Sequence, residues 1–210
     1  MIQHSDLSIP VYNKLKEMIL ENELKPGEKL LQEKLAARLG VSRTPLLKAL
    51  QMLEYDFLVE SIPRRGMFVK KLSIEEMRDI YDVREGIETV AVRLVAERIN
   101  EKQLRQLKNT WKPFENATPI HVEKYRKADD HFHALLLEFS GNKILQKIYS
   151  HSLVQLRVEQ MGLMRTPEET ISEHLAILNA IENGDAELAV QELRNHLQKS
   201  KALIQENFKN

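Results

Sequence analysis

"LAARLGVSRTPLLKALQMLEYDFLVESIPRRGMFV", residues 35–69, decides the fold of the N-terminal part of the chain. Leu35, Ala36 and Leu39 recur at helical spacing, and the run stops at Gly40. Ser42 then stands where a second helix would be capped, Pro45 fits its first turn, and Leu46, Leu50 and Leu53 form its apolar stripe. Two helices joined by a tight glycine-containing turn are the helix-turn-helix arrangement. VESI and MFVK follow as two short strands around the basic turn PRRG, which predicts a hairpin.

Upstream, IPVYNKLKEMILENEL puts Val11, Leu15, Met18 and Ile19 on one helical face, and the Pro-Gly turn of KPGEKLL ends that helix. Three helices followed by a hairpin make a winged helix-turn-helix. Ser42, Arg43 and Thr44 open the second helix of the helix-turn-helix, where base edges are met, and Lys48 lies one turn further on. Arg64, Arg65 and Gly66 form the hairpin tip, suited to phosphates or a minor groove. The alternative, a small helical domain with a decorative hairpin, leaves this placement of basic residues without a reason. Net charge is zero, with 31 Lys and Arg against 31 Asp and Glu. Residues 1–72 nonetheless carry twelve basic against nine acidic residues, a modest excess that permits a nucleic-acid partner.

The motif run LKPGEKL, LAARLGVSRTPLLKAL and FLVESIPRRGMFV resembles the winged helix of GntR-family bacterial transcriptional regulators over about sixty residues. The resemblance implies that Arg43 and Thr44 belong to the family's DNA-contacting Ser-Arg-Thr segment and that Gly66 is the wing-tip glycine. Four positions depart from the family pattern. Leu47 stands in place of a usual Arg, Lys48 in place of a common acid, Phe57 in place of a Gly and Leu31 in place of a capping Ser or Thr. The change at position 47 removes a strong hydrogen-bond donor, so the operator need not follow that of relatives.

Ser73 and Glu76 form a capping-box pattern that opens a long helix running to about Arg98. This divides the chain into residues 1–72, the DNA-binding part, and 73–210, an effector-binding and dimerising part. Further helices are expected at about 101–115, 119–139, 143–164, 167–183 and 186–207, punctuated by Thr118-Pro119, Gly141-Asn142, Thr166-Pro167 and Gly184-Asp185. The fold class is therefore mainly α: a winged helix-turn-helix plus an antiparallel bundle of about six helices. The absence of Cys excludes disulfides, thiolate metal sites and thiol catalysis. No charged-then-apolar leader opens MIQHSDLSIP and no segment reaches membrane-span length, so a cytoplasmic protein with no membrane partner is expected.

In KADDHFHALL, residues 127–136, four polar residues interrupt a helical pattern. Tyr125, Ala128, Phe132, Leu136 and Phe139 mark the buried stripe; Asp129 and His133 fall inside it, whereas Lys127, Asp130 and His131 fall on the opposite, solvent-facing side. A buried Asp needs a partner, and His133 alone would make an ordinary structural pair. Yet His174 shares a face with Ile171, Leu175, Leu178 and Ile181, and His196 with Ala189, Leu193, Leu197 and Ile204. Three inward histidines and one inward Asp suit a divalent metal held between bundle helices. His4, His121, His131 and His151 have no such placement.

DDHFHALLLEFSGN and EHLAILNAIENGDAELAVQELRNHL are similar to motifs of the FCD ligand-binding domain that accompanies the GntR winged helix in the FadR subfamily. In metal-binding members one Asp and three His hold the ion; the resemblance implies Asp129, His133, His174 and His196, with Zn, Ni or Mn as the metal. Effectors of such proteins are small organic or sugar acids. Arg84 and Arg157 are candidate carboxylate clamps, since guanidinium pairs bidentately with carboxylate; both could instead snorkel to solvent. The Val83-Arg84 and Glu88 pattern matches a family motif and favours a pocket role for Arg84. The expected protein is a homodimeric, cytoplasmic, nucleoid-associated bacterial regulator that binds a palindromic operator. The alternative from another class is a metal-dependent hydrolase fused to a DNA-binding module, because an open metal position can activate water.

Overall fold

A computed structural model describes residues 7–115, 117–151 and 163–207. The chain divides into two compact units, Met1–Leu72 and Ser73–Asn210.

In the first unit, α1 (Ser8–Leu20), α2 (Gln32–Leu39) and α3 (Arg43–Tyr55) precede the strands β1 (Val59–Ile62) and β2 (Gly66–Val69). Val11, Leu15, Met18 and Ile19 of α1 face Leu46, Ala49, Leu50 and Leu53 of α3, and all are buried. Each large apolar side chain removed from water in this way contributes about 1.5–3 kcal/mol. Gly40, at φ 65°, ends α2 with its own N–H on Ala37 O and the Val41 N–H on Ala36 O, a turn that a left-handed residue permits. The two strands pair antiparallel with Val59 opposite Val69 and Ile62 opposite Gly66. Residues 27–30 add a third edge: Leu30 N donates to Met67 O at 2.8 Å and Gly27 N to Val69 O at 2.9 Å.

Two of the four departures from the family pattern now have a structural address. Leu31 is the N-cap residue of α2 and offers no side-chain cap bond. Phe57 sits at φ 57°, just past α3, where its N–H reaches Glu54 O and the Leu58 N–H reaches Leu53 O. This is a helix-ending left-handed position that glycine adopts without strain.

The second unit consists, among the described residues, of six helices: α4 (Ile74–Arg98), α5 (Glu101–Trp111), α6 (Val122–Phe139), α7 (Lys143–His151), α8 (Pro167–Glu182) and α9 (Ala186–Asn207). Reciprocal capping boxes start three of them. Ser73 and Glu76 cap α4, Asn100 and Gln103 cap α5, and Thr166 and Glu169 cap α8 with Pro167 at the first position. The long helix α4 is the spine; α9, α6, α8 and α7 all pack against it. The fold is the mainly α arrangement expected from sequence, a winged helix-turn-helix and an all-α bundle.

Several boundaries differ from the sequence expectation. α5 ends at Trp111 because Pro113 cannot continue the hydrogen-bond ladder, and α6 starts at Val122, after a His121 cap, rather than at 119. The helix expected over 143–164 is described only to His151; residues 152–162 lie outside the described residues, and Leu163–Arg165 are not helical. No helix among the described residues is long and apolar enough to cross a membrane.

Phe57 is 71% exposed, so its ring gains little from burial while its backbone is strained. Phe57→Gly removes about 1–2 kcal/mol of left-handed strain and adds back about 0.5–1 kcal/mol of glycine entropy. The variant is expected to raise the unfolding midpoint of the N-terminal unit slightly, read by circular dichroism in urea; a lower midpoint contradicts the assignment.

Candidate metal centre and nucleic-acid interface

The centre is assembled by three helices that meet on the inner side of α4. Asp129 and His133 come from α6, one turn apart; His174 comes from α8 and His196 from α9. All three histidines are buried, His174 completely. One ligand-capable atom from each of the four residues can be chosen so that all lie within 4.8 Å of one another. Ligand atoms round an ion at about 2.0–2.2 Å stand roughly 3–4.4 Å apart, so a small contraction closes the set.

Each ring is oriented by a partner on its Nδ1. His133 Nδ1 lies 2.6 Å from Glu88 Oε2, and His196 Nδ1 lies 2.9 Å from Glu173 Oε2. An ionised carboxylate can only accept, so both rings carry their proton on Nδ1. His174 Nδ1 lies 2.9 Å from the Tyr125 hydroxyl, which lies 2.8 Å from Thr170 Oγ1, and that hydroxyl donates to Thr166 O at 3.1 Å. Read back from the carbonyl, which only accepts, the relay runs Thr170, Tyr125, His174. It places the His174 proton on Nδ1 as well. In its neutral form each ring then has its lone pair on Nε2, and His174 Nε2 lies against Asp129.

Those lone pairs are the unusual feature. His133 Nε2 and His174 Nε2 are buried and have no hydrogen-bond partner among the described residues. His174 Nε2 is 3.0 Å from Asp129 Oδ1, near enough for electrostatic contact yet without hydrogen-bond alignment. Burying an unsatisfied polar atom costs about 1–3 kcal/mol, and two side by side need a compensating function. Burial lowers the proton affinity of His174 and His196, which favours the neutral rings that bind a cation. Burial alone would raise the Asp129 pKa, but contact with His174 and the fields of the three imidazoles hold it well below the usual carboxylate range. Three imidazoles and one carboxylate, with no thiolate, form a donor set that fits a divalent transition metal.

The surroundings are aromatic on one side and charged on the other. Trp111 stacks on His174 with ring centroids 4.2 Å apart, and Phe132 meets the same ring edge-on. Arg84 does not snorkel: it is 3% exposed, bonds Glu88 Oε1 at 2.7 Å and lies over the Tyr81 ring. Burial raises the Glu88 pKa, but Arg84 and His133 outweigh it and hold the carboxyl at about 2. A cavity of about 20 Å³ opens beside the centre, lined by Tyr81, Arg84, Arg126, Asp129, Arg165 and His196 among others. That space holds about one water.

Sequence reasoning placed Asp130 on the solvent side, and the structure corrects this. Its side chain is 17% exposed, pairs with Arg126 Nη1 at 3.0 Å and lines the cavity. His131 is exposed and His121 caps α6. Arg157 lies outside the described residues. Sequence reasoning missed Arg126, Arg165, Glu173, Tyr125 and Trp111 as parts of the centre. Arg126 could have been found from its four-residue spacing to Asp130, whereas Glu173 reaches His196 across 23 residues and leaves no local signal.

On the first unit, Ser42 occupies the N-cap position of α3 with extended backbone but no side-chain cap bond. Arg43, Thr44 and Lys48 are exposed along the first turns of α3, with Arg43 Nη2 2.5 Å from Glu33 Oε1 of α2. Arg64, Arg65 and Gly66 are exposed at the hairpin tip, where Arg64 and Gly66 take positive φ and the Arg65 guanidinium lies over Phe68.

Residues 7–69 match the family described as bacterial regulatory proteins, gntR family, and residues 79–199 match the FCD domain. The chain belongs to the GntR family of FCD-containing regulators. The uncharacterized HTH-type transcriptional regulator YdhC of Bacillus subtilis is 31% identical over 192 residues, covering 88% of this chain and 85% of that protein. The HTH-type transcriptional repressor RspR of Escherichia coli is 26% identical, over 90% and 84% of the two chains. Among solved structures, a GntR regulator from Rhodococcus superposes with a TM-score of 0.76 over 97% of this chain and all of that one, at 21% identity. E. coli McbR/YncC superposes with a TM-score of 0.71 at 23% identity, over 96% and 98%. These two likenesses concern the fold. The GntR chain is thus a DNA-binding transcriptional regulator and not an enzyme, which removes the metalloenzyme alternative.

Arg84 and Glu88 form a buried pair in which each charge depends on the other. Arg84→Met leaves the Glu88 carboxylate short of its main counter-charge and is expected to cost about 3–5 kcal/mol. Adding Glu88→Gln should recover part of that loss. Urea unfolding followed by the fluorescence of Trp111, the single tryptophan, reads the C-terminal unit alone. A single variant as stable as the parent contradicts the pair's role.

Proposed function

We propose that the regulator binds a divalent metal through Asp129, His133, His174 and His196 and responds there to a small organic or sugar acid. The observation that carries this reading is the pair of buried Nε2 atoms of His133 and His174, without a hydrogen-bond partner among the described residues, in a cluster with Asp129 and His196. Glu88, Glu173 and the Tyr125–Thr170 relay fix the ring tautomers, so the chain's own residues preorganise the ligand set. A bound ion, Zn, Ni or Mn by this donor set, would offer its remaining position to a carboxylate oxygen.

The same reading gives Arg84, Arg126 and Arg165 the second half of an acid ligand, since all three line the cavity. Each already holds an internal acid: Glu88, Asp130 and Glu173 respectively. A cavity with room for one water cannot admit an organic acid without parting such a pair. Effector binding is thereby coupled to helix movement, and it shifts the regulator only through a difference in affinity between the two arrangements.

For the DNA-binding side we assign residues 1–72 as the reading domain and 73–210 as the effector and dimerisation domain. Ser42, Arg43, Thr44 and Lys48 approach base edges and phosphates from α3, while Arg64, Arg65 and Gly66 approach from the wing. Two copies related by a two-fold axis read a palindromic operator. Such a protein works in the bacterial cytoplasm, on the nucleoid.

Because Trp111 stacks on His174, metal loading is optically visible. Ni²⁺ or Co²⁺ added to chelator-treated protein is expected to quench Trp111 emission at about one ion per chain. His174→Ala or Asp129→Ala should abolish the saturable quench, and small acids should raise the melting temperature of the metal-loaded parent only. Undiminished saturable binding in both variants would sink the site. Arg43→Ala should weaken binding to operator DNA by about tenfold or more, as expected for loss of one bidentate base contact. Its metal quench should be unchanged, separating the two halves of the reading.

A further inference from the structure

Among the exposed residues of the first turns of α3, one does not fit a surface of hydrogen-bonding groups. Leu47 is 40% exposed and sits in the second turn, among Arg43, Thr44, Lys48 and Gln51, all exposed. A helix turns about 100° per residue, so Arg43 and Gln51 stand roughly 40° to either side of Leu47, each one turn away along the axis. The buried residues Leu50, Leu46, Leu53 and Ala49 lie roughly 60–160° round the helix from Leu47, all on one side of it. Leu47 thus stands on the exposed face, toward the edge nearest the buried stripe, between Arg43 and Gln51.

We propose that Leu47 is a specificity-determining residue that reads the C5-methyl group of a thymine in each operator half-site. The inference rests on the reading of α3 as the element that enters the major groove. Base edges in that groove offer acceptors and donors at nearly every position, and the thymine methyl is the apolar exception. A leucine has no group to satisfy a carbonyl, ring nitrogen or amino group. Pressed against those edges it would strip their water and return nothing, whereas against a methyl it removes apolar surface from water on both sides. Arg43 and Gln51, one turn before and after, supply the polar contacts that fix the register of the methyl beneath Leu47. The consequence is an obligatory thymine flanked by positions read through hydrogen bonds.

The experiment uses full-length protein, with and without added zinc, and a pool of random duplex DNA from which bound sequences are selected and sequenced. A thymine should be enriched at one position of each half-site. Replacing that thymine by deoxyuridine deletes only the methyl and should weaken binding about fourfold, or about fifteenfold when both half-sites are changed. Leu47→Ala should bind the thymine and deoxyuridine duplexes about equally. Leu47→Arg, selected afresh, should prefer guanine at the same position. Leu47 is exposed, so neither variant threatens the fold, and a melting curve checks this. If the parent binds the deoxyuridine duplexes as well as thymine, or Leu47→Ala keeps the discrimination, the inference is overturned. Arg43→Ala is the separating control. Loss of specific binding in that variant alongside indifference to the methyl removes the Leu47 role alone; the absence of any Arg43-dependent enriched sequence removes the reading face as well.

Discussion

The C-terminal unit depends on one constraint: a carboxylate that is fully buried must be met on every side. Glu88 lies in the middle of α4 with no exposed surface, and Arg84, His133 and Tyr149 close round it from three helices. Arg84 is on the same helix one turn earlier, His133 on α6 and Tyr149 on α7. An apolar residue in place of Glu88 would pack without any requirement on where α6 sits. The carboxylate instead demands His133 Nδ1 at 2.6 Å, and in doing so fixes the rotation of α6 and the direction of the ring's other nitrogen. Charge burial here adds little net stability and serves to specify geometry.

Glu173 repeats the device from the other side. Its two oxygens take His196, Arg165 and Lys199, so one carboxylate joins α8 to α9 and to the segment before α8. Burial opposes its charge, yet the His196, Arg165 and Lys199 contacts keep its pKa well below the usual range. It therefore stays an acceptor at neutral pH and the His196 proton stays on Nδ1. Tyr125 performs the same service for His174 without a charge, ending in a backbone carbonyl. The three rings are held by unlike means, and for His133 and His174 the outcome is common: a buried Nε2 with no hydrogen-bond partner among the described residues.

What the sequence made legible follows from the range over which each feature is encoded. Periodicity and punctuation are local, so the helix-turn-helix, the hairpin, the six bundle helices and the inward facing of Asp129, His133, His174 and His196 could all be read from residue spacing. Helix ends were less legible where a proline or a histidine cap intervened, as at Trp111 and Val122. The outer partners were illegible for a different reason. Glu173 and His196 meet across 23 residues, Tyr125 and His174 across 49, and such pairs are defined by packing that no single segment contains. Asp130 was misread because helical facing treats a neighbour of a buried residue as exposed, whereas here Arg126 and the cavity fold over it.

The smallness of the cavity bears on how an acid could act as a signal. A site already large enough for its ligand can bind without moving, and a ligand that binds two arrangements equally shifts neither. Here the arginines that line the space are engaged with Glu88, Asp130 and Glu173, which belong to α4, α6 and α8. A ligand carboxylate must compete with at least one of them, and a displaced internal acid cannot remain buried without its counter-charge. The two arrangements then differ by a side chain that must travel, and the helix bearing it is biased to follow. Asp130 and Glu173 are partly exposed and can leave at modest cost, whereas Glu88 cannot. In the proposed reading Arg126 and Arg165 are accordingly the arginines that change partners, and Arg84 is the fixed one that keeps His133 aimed while they do.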